Sequence, residues 1–147
     1  MFSKSFFLFF CVFPLLTSSA ITNEVDMDDS KLIQGVWQVI HFEQEGEKPI
    51  SSDKLKEMTY RFAMNKIAIS YKGRALEGIF TLNPKTKPKS IDFIHNDRTE
   101  PGIYKLEKNQ LTICMVAVKG NLKRPIDFAT KKGSKTMLVV LERSKQK

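Results

Sequence analysis

The sequence predicts an all-β domain. Roughly eight short antiparallel strands form a meander, closed into an up-and-down barrel or folded as a two-sheet sandwich. Three observations carry this. Apolar residues alternate with polar ones through most of the chain, as Tyr60, Phe62 and Met64 do against Arg61 and Ala63. That is the period of a strand with one buried face. Turn-forming clusters recur at short intervals, at Asn65-Lys66, Lys72-Gly73-Arg74, Asn83-Pro84 and Lys131 to Ser134. Helical spacing is confined to one short stretch, around Leu55 and Met58.

The chain opens Met1-Phe2-Ser3-Lys4-Ser5, runs apolar from Phe6 to Leu16, and ends that run with Thr17-Ser18-Ser19-Ala20. A basic start, a short apolar run and small residues form an export signal over 1–20, with cleavage after Ala20. The apolar run is shorter than the ~20 residues that cross a bilayer comfortably; an uncut N-terminal anchor is the alternative. Residues 21–30, with Glu24, Asp26, Asp28 and Asp29, read as a mobile mature N-terminus. Asp29 or Ser30 would cap a helical turn over Lys31 to Ile33. The folded domain then spans 31–143, and Ser144 to Lys147 form a basic tail.

The first strand runs from Trp37 to Phe42. Strict alternation puts Trp37, Val39 and His41 on one face and Gln38, Ile40 and Phe42 on the other. Ser51 or Ser52 would cap a short helix over Asp53 to Met58. Two strands around Asn65-Lys66 make a hairpin, and Leu76 to Leu82 continues the sheet with Gly78 at a bend or close approach. Ile91 to Ile94 is the next strand. His95 to Pro101 reads as a polar turn, Gly102 to Leu106 and Leu111 to Val116 as strands, and Lys119 to Phe128 as the longest irregular region. Thr136 to Arg143 closes the series. The expected interior is Trp37, Val39, Tyr60, Phe62, Met64, Ile67, Ile69, Leu76, Phe80, Leu82, Phe93, Tyr104, Leu106, Leu111, Ile113, Met137, Val139 and Leu141. Burying each such side chain contributes about 1.5–3 kcal/mol, enough together to support a fold.

Charge and cysteine content narrow the function classes. The chain carries a net charge of +8, and the export segment holds only Lys4 of it. The basic residues are dispersed, with Lys85, Lys87 and Lys89 in one loop as the densest run. No nucleic-acid motif is present, so the charge reads as a solvated cationic surface, with attraction to an anionic envelope surface as the sharper alternative. Of the two cysteines, Cys11 lies in the export segment. Cys114 therefore has no intramolecular partner after cleavage and reads as a buried, inert thiol in an apolar strand.

Gly35-x-Trp37 at the start of strand one, with Arg143 at the end of the last strand, resembles the lipocalin and calycin pattern. There the Trp packs across the closed end of a barrel against a basic residue, a contact worth about 0.5–2 kcal/mol. Two further lipocalin motifs that contain tyrosine are missing. The fuller resemblance is to a family of small lipocalin-like domains of unknown function, common in planctomycetes and other environmental bacteria. It rests on Ile33-Gln34-Gly35-x-Trp37, Pro88-Lys89-Ser90-Ile91-Asp92, Gly102-Ile103-Tyr104, Leu111 to Cys114, Arg124-Pro125 with Phe128, and Leu138 to Arg143. It covers about residues 31–143. It implies a lipocalin-like barrel and brings no activity, with Gly35, Trp37 and Arg143 as its closing clasp.

An eight-stranded barrel is either filled by side chains or holds one small ligand. Tyr60, Tyr104 and Arg124, with Phe62 and Phe80, are the candidate ligand contacts, because a few polar anchors on an apolar inner face make a pocket. Arg124 belongs to a loop long enough to cover a barrel mouth. The plainer alternative has both tyrosine hydroxyls facing solvent at the barrel ends and Arg124 paired with a carboxylate. His41 and His95 are too few for a metal site, and Asp28-Asp29 falls in the mobile start. No nucleophile–base–orienter motif occurs. The expectation is an exported, monomeric, non-enzymatic barrel without cofactor or metal, periplasmic or extracellular, binding a small apolar or amphipathic molecule. The alternative is a filled barrel serving as a structural or protein-interaction module of the envelope, with Ile40, Phe42, Ile79, Ile94 and Leu138 as its outer apolar patch.

Overall fold

A computed structural model describes residues 28–47, 50–116 and 123–145. Residues 1–27, which include the expected export segment 1–20 and its expected cleavage after Ala20, lie outside that range. The described chain is a closed antiparallel barrel in which every strand pairs with its neighbours in sequence and the last pairs with the first. The strands are β1 (Gly35–Gln44), β2 (Met58–Ala63), β3 (Lys66–Tyr71), β4 (Arg74–Asn83), β5 (Ser90–His95), β6 (Arg98–Leu106), β7 (Gln110–Val116) and β8 (Thr136–Arg143). A short helix α1 (Asp29–Leu32) precedes β1, and α2 (Ser52–Leu55) follows it. The barrel, rather than the sandwich, is the observed form.

α1 begins inside the stretch expected to be mobile. Its N-cap is Asp28, one residue before the expected Asp29 or Ser30; the Asp28 carboxylate accepts from the Ser30 amide at 3.0 Å. Hydrogen bonding from Ser30, first from its side chain and then from this amide, holds the Asp28 carboxyl below its ordinary value. α2 sits against β1 on the side that β2 leaves uncovered, since β1 pairs with β2 only from Gly35 to Gln38. Gln38 fastens it there by donating from one amide nitrogen to the Leu55 and Met58 carbonyls, at 2.7 and 2.9 Å. Leu55 is thereby buried in the core.

Two tight turns explain the sheet's regularity. Lys72-Gly73 and Asn96-Asp97 each place two successive residues at positive φ (49° and 74°, 45° and 60°). That is the turn whose twist matches two antiparallel strands. The second turn is shorter than the sequence suggested. The polar stretch Arg98 to Pro101, expected as loop, is the first half of β6.

A bulge in β1 overturns another expectation. Val39 faces Leu141, but His41 faces Val140, so Ile40 is an extra residue. A one-residue insertion flips every side chain beyond it. His41 therefore points outward to Glu43, at 3.5 Å, and Phe42 turns in to pack on the core. The expected outer patch breaks up accordingly. Phe42 leaves it, Ile79 and Ile94 pair across β4 and β5, and Ile40 and Leu138 lie on β1 and β8.

The interior is filled by Trp37, Tyr60, Phe62, Phe80, Leu111, Ile113, Val139 and Leu141, among others. Phe62 meets Phe80 edge-on, with ring centroids 5.0 Å apart. Two expected interior residues are not buried. Met64 is 80% exposed in the β2–β3 turn, where Gln34 grips both its amide and its carbonyl, at 2.7 and 3.0 Å. Leu76 is 49% exposed where β4 runs past the end of β5. Ile33, Leu55, Ile91 and Met115 are core residues that alternation alone did not select.

Candidate functional site

The two ends of the barrel differ in kind. One is sealed by α1 and the clasp. The Arg143 guanidinium carbon lies 4.2 Å from the Trp37 ring centroid, and its nitrogens donate to the Leu32 and Gln34 carbonyls at 2.6 and 2.8 Å. The Trp37 indole donates to the Ile33 carbonyl at 2.8 Å. Gly35, at φ 114°, leaves room for this: a Cβ there would come within 3.2 Å of the guanidinium. Beside the clasp, the buried Asp29 accepts from the Tyr104 hydroxyl at 2.6 Å and from the Lys89 ammonium at 2.7 Å. Burial, then the bond to Asp29, drives the Tyr104 hydroxyl well above its ordinary titration range. Tyr104 is thus a plug at the sealed end and does not reach solvent.

The other end holds a cavity of about 100 Å³. Ile67, Ile69 and Leu76 wall one side, Phe93, Met115 and Met137 the other. Two polar side chains, His95 and Glu100, stand at its edge. Both face inward because each lies two residues from an inward neighbour, Phe93 on β5 and Gly102 on β6. The His95 ring is committed on both sides. Asn96 donates to Nε2 at 2.8 Å, which leaves Nδ1 as the donor to the Glu77 carbonyl at 2.5 Å. That arrangement suits the neutral ring. Among the described residues Glu100 meets only Arg98, on its own strand, at 3.5 Å. Tyr60 lies below, fully buried; burial first, then the Glu100 charge, raise its hydroxyl far above the ordinary tyrosine value.

None of the five expected ligand contacts lines this cavity. Tyr60, Phe62 and Phe80 fill the barrel beneath it, and Tyr104 plugs the far end. Arg124 is on the outer wall, not over a mouth. It donates to the Ile91 and Gly102 carbonyls at 3.1 and 2.6 Å and pairs with Asp92 at 2.7 Å. The plainer expectation for Arg124 was right, and the one for the tyrosines was not, since both hydroxyls are inside. Sequence reading passed over Glu100, and a signal was available. Counting back by twos from inward Tyr104 gives Gly102 and then Glu100.

Two other features lie outside the barrel. A hollow of about 330 Å³ beside the sealed end is lined by Lys87, Lys89, Lys105, Leu106 and Phe128 among others. Cys114 is fully buried under the late loop, with Sγ 4.0 Å from the Ala129 carbonyl. Burial, with a smaller push from Asp127, raises its thiol to about 11, which keeps it protonated and unreactive near neutral pH. Among the described residues no group of three or more His, Cys, Asp or Glu side chains is placed to hold a metal ion.

Comparison of the chain with protein-family models, with curated proteins and with solved structures finds no match.

Proposed function

We propose that the chain is an exported, non-enzymatic, lipocalin-like binding barrel that takes the apolar end of a small amphipathic molecule at its mouth. The observation behind this is the apolar cavity of about 100 Å³ at the end opposite the clasp. Pockets that enclose a whole ligand hold about 300–1,000 Å³. This barrel is filled below its mouth, so a whole lipophile is too large for it. A dry cavity of about 150 Å³ takes a benzene-sized group, so this one accommodates a slightly smaller piece, with the rest of the molecule outside. The lipocalin-like assignment is supported by the Trp37–Arg143 contact, which has the form that the resemblance implies.

The test is a methyl-detected NMR titration of residues 21–147 with butan-1-ol. The Met115 and Met137 methyls should shift together and saturably. Shifts confined to the outer wall, or none, would overturn the reading. Export is tested separately, by N-terminal sequencing of the protein recovered outside the cytoplasm; a start near Ile21 is expected, and an intact Met1 would refute it.

One observation favours a second reading, an interaction module that meets an anionic envelope surface. The hollow at the sealed end brings Lys87, Lys89 and Lys105 together beside Phe128. Lys89 is engaged by the buried Asp29 at 2.7 Å and Lys105 by Glu107 at 3.0 Å in an exposed pair; exposed pairs hold their partners weakly, so Lys87 and Lys105 are the charges to test. Adsorption to anionic vesicles that weakens with salt and disappears in the Lys87→Glu/Lys105→Glu variant is the expected result. Adsorption that survives that change removes the hollow as its cause.

A further inference from the structure

We infer that the mouth is selective for a cationic head: its ligand is a short-chain primary amine in the ammonium form, and Glu100 is the group that receives it. This rests on the proposed binding at the mouth and names the ligand's polar end.

The polar groups around the cavity can be accounted for one at a time. The His95 ring has both nitrogens engaged, one by Asn96 and one by the Glu77 carbonyl, so it offers a ligand neither a donor nor a free acceptor. The Glu77 carbonyl is occupied by that same contact. Its side chain points to the outer face, one residue out of step with inward Leu76 and Gly78. Among the described residues at the mouth, Glu100 alone has acceptor capacity to spare. Its ion pair to Arg98, the one among the described residues, is 3.5 Å long and partly exposed on both sides, and a pair of that kind holds its partners weakly. A carboxylate has about four lone-pair sites, and that contact uses one.

Charge placement fixes the sign of the ligand. The protein is strongly basic, yet the charged carboxylate facing its apolar mouth is acidic, and Arg98 does not line the cavity. An ammonium entering beside Glu100 gains a charge-assisted hydrogen bond at the edge of a low-dielectric site, where such bonds are strong. A carboxylate entering the same cavity faces Glu100 and is repelled. The alkyl chain continues past Phe93 towards Met115 and Met137, whose flexible thioether side chains adapt to irregular apolar shapes. The cavity volume suits roughly four carbons.

The experiment compares three four-carbon probes by NMR titration of residues 21–147 near neutral pH: butylammonium, butan-1-ol and butyrate. Butylammonium should bind about tenfold tighter than the alcohol, and butyrate more weakly than the alcohol. Glu100→Gln should lower butylammonium to the alcohol's affinity while leaving the alcohol within about twofold, which also shows that the mouth is still formed. Glu77→Gln, a change on the outer face, should leave the order intact. The inference is overturned if butylammonium has no advantage over butan-1-ol, if the advantage survives Glu100→Gln, or if butyrate binds best and so points to Arg98. Each of those results keeps the mouth-binding reading, because a neutral or anionic probe still binds. Loss of all three probes from the unaltered protein would instead refute that reading.

Discussion

Arg143 satisfies two backbone carbonyls and one indole face at once, and its shape is what allows this. The two carbonyls lie in different residues, Leu32 and Gln34, and are reached by different nitrogens of one planar fork. Lysine has the charge but a single ammonium on a flexible stem. Arg143→Lys should therefore cost about 1–3 kcal/mol, through a lost contact and a carbonyl left without a donor. Urea unfolding would measure it, and a loss below about 0.5 kcal/mol, the level of an ordinary surface change, would reduce the clasp to decoration. Trp37 is the partner in the same contact and is completely buried. Trp37→Ala should cost about 3–5 kcal/mol, the usual loss for a large core aromatic. A fully stable variant would contradict the clasp. This much was legible at the residue scale, because Gly35, Trp37 and Arg143 are distinctive residue types at distinctive places. Asp29 was not. Nothing local marks it as buried, since its partners, Tyr104 and Lys89, are 75 and 60 residues away.

At the scale of single elements, the additions to the meander are held by a few polar side chains. Gln38 is the fastening of α2, and it faces away from the core-directed Trp37 and Val39. Gln38→Leu would strip the donor from two carbonyls. It should cost about 1–3 kcal/mol and raise amide exchange across residues 52–56 before the barrel opens. Uniform loss of protection would mean that α2 is not a separate unit. The late loop is fastened by Arg124, and Cys114 lies beneath that loop. Arg124→Met should expose the thiol: labelling of Cys114 by a disulfide reagent should accelerate several-fold, with a stability loss of about 1–3 kcal/mol, because the Ile91 and Gly102 carbonyls lose their donor. Unchanged labelling would show that the loop is held elsewhere. Sequence reading went wrong at this scale in two places, for two reasons. Alternation is informative only while pairing stays regular. The bulge at Ile40 changed its phase in β1, and a polar composition disguised the start of β6, where Glu100 faces in.

For the molecule as a whole, the order of strands was readable, since short turns between alternating runs leave little but a meander. How full the barrel is was not. Alternation says which side chains face inward, but not how rings from different strands meet. Phe62 on β2 and Phe80 on β4 close the space by crossing edge-on. That filling has a consequence at high pH. Tyr60 and Tyr104, both driven up mainly by burial, and Cys114, raised to about 11, all hold their protons more tightly when folded. A group whose folded value lies above its unfolded value contributes stability in full below the unfolded value. It loses that contribution as pH climbs from there towards the folded value. The unfolded values are 9.0 for the thiol and 10.0 for the tyrosines. Stability should therefore be untouched by these groups below pH 9. It should begin to fall as Cys114 comes into play, and then fall more steeply above pH 10 by about 1.4 kcal/mol per pH unit for each tyrosine. Tyr60→Phe should flatten that upper slope by one such increment, because it removes one titrating group from a filled wall. Urea midpoints taken across the alkaline range, with tyrosinate absorbance followed in parallel, would show it. Should all three tyrosines of the chain ionise together near their ordinary value while the fold stays intact, the interior is open to water and the filled barrel is refuted.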